Sequence, residues 1–159
     1  MKSVYTDTSV VGGCFDHQFK EYSLGLFGEF RKGVKRMMYS NAVLNELKPA
    51  RKEIIDQLET VPTVFKIEVK ITVKALKLSK AYIEAGALDR NDDNDALHIA
   101  LATLHGADIL ASWNFKHIVN QGKIKQYNNI NQRMGYRMID IRTPREILNS
   151  TFYGSNQRL

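Results

Sequence analysis

Apolar residues along this chain follow two alternating rhythms. Short β-type runs occur at "SVYT" (Ser3 to Thr6), "VKRMMY" (Val34 to Tyr39), "VFKI" (Val64 to Ile67), "DILAS" (Asp108 to Ser112) and "YRMIDI" (Tyr136 to Ile141), and each predicts a strand. Between them the spacing turns helical. Phe15, Phe19, Tyr22, Leu26 and Phe30 recur at helical intervals before Gly33. Ser40 is placed to cap a helix through "NAVLNEL", which Pro49 divides from one carrying Ile54, Ile55 and Leu58. Val69, Val73, Leu76 and Ile83 mark a further helix closed by Gly86. Asp93 or Asn94 is expected to cap a helix from Asp95 to His105, with Gly106 as its stop. Ile118 to Met134 reads as helix with a break near Gly122, and Thr143 with Pro144 starts a short last helix.

Strands that alternate with helices imply a mainly parallel sheet covered on both faces, an α/β fold. Sites in such sheets lie beyond the carboxyl ends of the strands. That rule gathers residues far apart in sequence. Asp7 ends the first strand, Glu46 lies in the helix after the second, and Asp95 opens the helix leading to the fourth. Ser112 and Asn114 come just off the end of that fourth strand. The helix after Asp95 has almost no polar face, so its start is expected to be partly buried. Carboxylates brought together where water is scarce repel one another unless protons or a cation neutralise them.

Composition narrows the setting. The 159 residues fit one domain, expected over 1–150 with a loose tail at 151–159. No apolar run is long enough for a membrane span, and the N-terminus does not read as a signal peptide. Cys14 is the single cysteine, so no internal disulfide is available and a cytoplasmic setting is expected. The net charge of +6 suits a polyanionic partner. The basic residues cluster in "FRKGVKR", in "LKPARK" and along Lys123 to Arg145, apart from Asp92, Asp93 and Asp95. Hard oxygen donors without clustered Cys or His favour Mg²⁺ or Mn²⁺. Such an ion activates water and steadies charge on phosphate oxygens. Asn114 offers a neutral carbonyl, Ser112 a hydroxyl and His117 a proton donor, while His98 reads as packing. Trp113 and Phe115 are read mainly as core, with stacking on bases as the other role.

Four segments, "VYTDTSVV", "SNAVLNEL", "DNDALHIALAT" and "DILASWNFKHI", resemble in order and separation the signature segments of PIN-domain ribonucleases, of the VapC-like toxin type or a related stand-alone protein. The resemblance spans nearly the whole chain. It implies a three-layer α/β/α sandwich with a central, mainly parallel five-stranded sheet. It implies Mg²⁺- or Mn²⁺-dependent endonucleolytic cleavage of single-stranded RNA, an antitoxin protein as partner in a type II toxin–antitoxin pair, and a homodimer. By position, Asp7, Glu46 and Asp95 match the family's acidic triad. Asn114 stands where many members have a fourth acid, so one ion is better supported than two. Thr6, Ser9 and Ser112 resemble its supporting hydroxyl residues, with Asp92 and Asp93 nearby. Arg36, Lys48 and Lys116 are the candidates for holding the RNA backbone.

Two rivals remain from the sequence: a catalytically weak or inactive RNA-binding or scaffold module of the same fold, and a nuclease acting on DNA or another phosphoester hydrolase. A dinucleotide-binding protein is disfavoured, because "VVGGCF" lacks the glycine spacing of that fingerprint.

Overall fold

A computed structural model describes residues 1–149; the expected tail at 151–159 lies outside the described residues. The strands are β1 (Lys2–Thr6), β2 (Lys35–Ser40), β3 (Lys66–Val69), β4 (Ile109–Ala111) and β5 (Asp140–Arg142). They form one sheet, ordered β3-β2-β1-β4-β5, and every neighbouring pair is parallel. The intervening helices are α1 (Thr8–Gly13), α2 (Lys20–Arg31), α3 (Asn41–Leu47), α4 (Lys52–Glu59), α5 (Val73–Glu84), α6 (Asp93–Leu104) and α7 (Gln121–Arg133), with a last helical turn at 144–149. Parallel strands need crossovers, and crossovers take the right hand. The chain steps outward from β1 to β3, then returns across β1 to β4. The first four helices therefore cover one face and α5 to α7 the other, giving a three-layer α/β/α sandwich. α5 packs on both α6 and α7, and α1 on α2 and α4.

The central strands are buried on both faces: Val4, Tyr5, Met37 and Leu110 are fully enclosed. α6 is buried nearly all round, through Ala96 and Ile99 to Thr103. Ser40 caps α3 by accepting from the Val43 N–H at 3.4 Å, and Pro49 falls in the gap between α3 and α4 as expected. Thr143 and Glu146 form a reciprocal capping box at the last turn, with contacts of 3.2 and 3.1 Å.

Several boundaries differ from expectation, each for a local reason. The stretch before Phe30 is two helices, with α1 started by Asp7 and α2 only at Lys20. Pro62 starts a single 3₁₀ turn at Thr63–Phe65, so β3 begins at Lys66 and Val69 ends a strand instead of opening a helix. Gly33 there has φ +75 and its Cα faces the Phe65 ring, where a Cβ would sit 2.6 Å away. α6 starts two residues early at Asp93, and no side chain caps it. Asn120 caps α7 by accepting from Lys123 N–H at 3.2 Å, which carries the helix through Gly122 without a break. Tyr136 to Ile139 stays outside β5, because the Asn128 amide satisfies both backbone groups of Ile139 at 2.8 and 3.0 Å. Lys35, grouped above with the surface cations, is buried against Glu29 at 2.6 Å.

Candidate active site

The sheet order reverses between β1 and β4, and Asp7 and Ser112 stand at that switch point. Asp7 follows β1 directly and is 3% exposed. One carboxylate oxygen accepts from the Ser9 hydroxyl at 2.6 Å and from Val10 N–H at 3.1 Å, which caps α1. The other accepts from the Ser112 hydroxyl at 2.6 Å. Burial pushes the Asp7 carboxyl above its ordinary range, against the opposing pull of His98 and these three donors. Ser9 and Ser112 also anchor the segment after β4: Trp113 N–H donates to Ser9 Oγ at 2.9 Å and Asn114 N–H to Ser112 Oγ at 3.0 Å.

Glu46 projects from the last turn of α3 and is half-buried. Its Oε1 meets His98 Nε2 at 2.6 Å. His98 is 2% exposed, and its Nδ1 lies 2.8 Å from the Tyr5 hydroxyl. That hydroxyl is in turn 2.7 Å from Ser40 Oγ. A chain of hydrogen bonds therefore runs Ser40, Tyr5, His98, Glu46, from the ends of β1 and β2 through α6 to α3. Burial acts to raise the Glu46 carboxyl, but the hydrogen bond and charge of His98 outweigh it and hold it below its ordinary range. His98 is the residue whose role the sequence reading missed. Its one signal is its place three residues after Asp95, on the same face of α6.

Asp95, in the first turn of α6, is half-buried. Burial pushes its carboxyl up; His117 and His98 oppose this, while Asp7 and Asp92 add to it. No side-chain hydrogen bond to Asp95 is found among the described residues; the groups that favour its ionised form are the His117 and His98 rings. Asp92 Oδ1 stands 3.3 Å from His117 Nε2. Asp92, Asp95 and His117 each offer a ligand atom, and these atoms lie within 4.8 Å of one another. Asn114 accepts from His117 N–H at 3.0 Å through its side-chain carbonyl, fixing the turn that carries His117. The Tyr127 hydroxyl donates to the carbonyl of His117 from the other side.

The structure brings Asp7, Glu46, Asp95, Asn114, Ser9, Ser112 and Asp92 to one edge of the sheet. Thr6 is fully buried there, but its hydroxyl donates back to Val4 O at 3.4 Å and does not reach Asp7. Asp93 is exposed at the start of α6. Lys48 and Lys116 are exposed, one just past α3 and the other between Asn114 and His117. Arg36 is not brought to that edge. It pairs in register with Ser3, on the amino half of the sheet. A cavity of about 390 Å³ borders Glu46, between Asn45 and Asn94.

The donor set fits a divalent ion. Among the described residues, Asp92, Asp95 and His117 offer two carboxylates and an imidazole within reach of one ion. Burial pushes the Asp7 and Asp95 carboxyls above their ordinary range, a cost that a cation offsets. No described helix is long and apolar enough to cross a membrane.

No family model matches this sequence, and no curated protein sequence does. Solved structures do match by shape. FitAcB from Neisseria gonorrhoeae is 12% identical, with 89% of this chain and 97% of that one covered at a TM-score of 0.56. VapBC2 from Rickettsia felis, bound to a DNA fragment from its promoter, is 13% identical, with 89% and 98% covered at 0.54. FitAB bound to the IR36 DNA fragment is 11% identical, with 89% and 94% covered at 0.56. At such identities the agreement is one of architecture: this chain has the PIN-domain fold.

Proposed function

We propose that the protein is a metal-dependent endoribonuclease that hydrolyses single-stranded RNA, serving as the toxin of a type II pair held in check by an antitoxin protein. What supports this reading is that Asp7, Glu46 and Asp95 come from three separate elements to the carboxyl edge of the sheet, with Asp92 and His117 beside Asp95, and that burial pushes the Asp7 and Asp95 carboxyls above their ordinary range. Asp7, Glu46 and Asp95 would hold Mg²⁺ or Mn²⁺, with Asp92 and His117 beside Asp95. Bound there, the ion would make a water more acidic and offset charge on the phosphate oxygens.

The chain's own residues set the geometry. Ser9 and Ser112 fix both oxygens of Asp7, so its carboxylate cannot rotate away. His98 aims Glu46. Asn114 fixes the turn that places His117 against Asp92, where His117 can hold a proton for the departing 3′-oxygen. Lys48 and Lys116 are free to take the flanking phosphates. In-line attack by water then leaves a 5′-phosphate and a 3′-hydroxyl.

The test is cleavage of a labelled single-stranded RNA by the purified protein, with EDTA and with Mn²⁺ restored. Activity is expected only with the ion, and products are expected to ligate through their 5′-phosphate. Undiminished cleavage in EDTA, or by an Asp7→Asn, Asp95→Asn double variant, refutes the reading.

A further inference from the structure

An aromatic groove borders the carboxylate centre on its β4 side, and nothing in the reading above uses it. Phe19 and Trp113 stack with ring centroids 4.4 Å apart and planes 20° from parallel. Phe115 stands 6.5 Å from Phe19 and 6.4 Å from Trp113. Phe19 and Trp113, with Ser9, Gly12, Asp16 and Asn114, line a cavity of about 530 Å³, a size typical of small-ligand clefts.

Trp113 is itself buried, at 8% exposure, and belongs to the core, with Phe19 packed against it. Three observations describe the surface they form. Phe115 is 54% exposed, so its ring is held at the rim without the gain of burial. Trp113 is fixed in place: its indole N–H donates to Ser23 Oγ at 2.8 Å and its backbone N–H to Ser9 at 2.9 Å. The floor at Gly12 is open, since a Cβ there would meet nothing within 4 Å. The result is a rigid aromatic surface with one exposed edge.

Its position says what it receives. Ser9 lines the groove and also donates to Asp7, so the groove begins one side chain from the acidic centre. Lys20 follows Phe19 and Lys116 follows Phe115, and both are exposed. Asp16, the acid that lines the groove among the described residues, accepts from Gln18 N–H at 2.8 Å. Flat apolar rings at Phe19 and Phe115, each followed in the chain by an exposed lysine, match a flat base joined to a phosphate. An apolar protein side chain would account for the rings but not for the lysines. A base inside a duplex has both faces covered and cannot enter.

We propose that the Phe19–Trp113–Phe115 groove takes one unpaired nucleobase of the strand whose phosphodiester lies at Asp7, Glu46 and Asp95. This rests on the nuclease reading and deepens it: the requirement for single-stranded substrate resides in these rings.

Trp113 is the only tryptophan, so its fluorescence reports on the groove. A short single-stranded RNA is titrated into the full chain in EDTA at low salt, with Trp113 emission and the anisotropy of a labelled end read together. The expected result is a change in Trp113 emission that tracks binding. Loss of one stacked base corresponds to roughly 5- to 150-fold weaker binding. Phe115→Ala is expected to lose that factor and Phe115→Trp to recover it in the anisotropy signal. An RNA with an abasic residue at the stacked position should lose it with the native chain and lose nothing more with Phe115→Ala. Unchanged Trp113 emission, equal affinity for duplex RNA, or Phe115→Ala binding as tightly as the native chain overturns the proposal, as does absence of binding. Cleavage in Mn²⁺ is followed on the same proteins. Ion-dependent cleavage with no Phe115 effect sinks the groove alone, whereas stacking without any cleavage sinks the nuclease reading alone.

Discussion

The buried chain of hydrogen bonds from Ser40 to Glu46 can be cut by a single oxygen. Tyr5→Phe removes the hydroxyl that lies 2.7 Å from Ser40 Oγ and 2.8 Å from His98 Nδ1, and it leaves the packing of a fully buried ring unchanged. Ser40 keeps the Val43 N–H, but His98 Nδ1 is left enclosed without a partner. An orphaned buried polar group costs about 1–3 kcal/mol. For a chain of this size each kcal/mol lowers Tm by about 2–4 °C. A cost near the middle of that range, about 2 kcal/mol, predicts a fall of about 4–8 °C. The His98 ring then has one anchor instead of two, and Glu46 loses its fixed direction. Small misplacement of a reacting group costs up to about 100-fold in rate, so kcat should fall by about 10- to 100-fold with RNA affinity unchanged. Tyr82→Phe is the control. Its hydroxyl is also buried and donates to Asn131 Oδ1 at 2.5 Å, between α5 and α7. It should lose comparable stability and keep full activity. The measurements are thermal melts by circular dichroism and single-turnover cleavage. A Tyr5→Phe protein melting within about 1 °C of the native one refutes the energetic reasoning. Equal cleavage by both variants reduces the hydrogen-bond chain to a structural role.

The same residues show what a sequence discloses and what it withholds. Asp7 and Asp95 are legible because a charged residue at the end of an apolar strand, or at the mouth of an apolar helix, has few structural reasons to be there. The five strands are legible because their apolar runs are short and bounded. His98 is not legible, because a lone polar residue in a buried helix looks the same whether it is a satisfied core group or part of a site. Its partners Tyr5 and Glu46 lie 93 and 52 positions away. α1 escapes notice because "TSVVGG" has no helical period and little propensity; the Asp7 cap and packing against α2 and α4 make it a helix. Tyr136 to Ile139 has the pattern of a strand, but a side-chain amide from Asn128 takes the place of the ladder. Local pattern locates elements, while hydrogen bonds made by distant side chains decide their ends.

Gly13→Ala sets helix propensity against space. Alanine gains up to about 1 kcal/mol, but its Cβ would lie 2.5 Å from Ser23 Oγ and 2.9 Å from Trp113 Nε1, and overpacking costs about 1–3 kcal/mol. The balance predicts a lower Tm and altered Trp113 emission; a rise in Tm contradicts it. The two kinds of acid in the site should respond to charge removal with opposite sign. Glu46 is held below its ordinary pKa, so its ionised form adds stability above the unfolded-state value and loses it as pH falls. Glu46→Gln should therefore melt lower than the native chain at neutral pH. Asp7 and Asp95 are pushed up. Their contribution is present below the unfolded-state pKa, near 4, and lost as pH rises through the raised folded-state values. At neutral pH, without a divalent ion, each is a liability. Asparagine at position 7 keeps the Ser9 and Val10 donors on its oxygen and gives an N–H to Ser112, whose hydroxyl can turn to accept it. Asp7→Asn and Asp95→Asn should thus melt higher than the native chain in EDTA at pH 7, with the difference shrinking toward acid. Mn²⁺ reverses the order, because an ion that binds only the folded native chain stabilises it by about 2.7 kcal/mol at one hundred times its Kd. Equal Mn²⁺ shifts in native and variant chains, or a lower Tm for Asp7→Asn in EDTA, would mean that the carboxylates are held for structure and not for a cation.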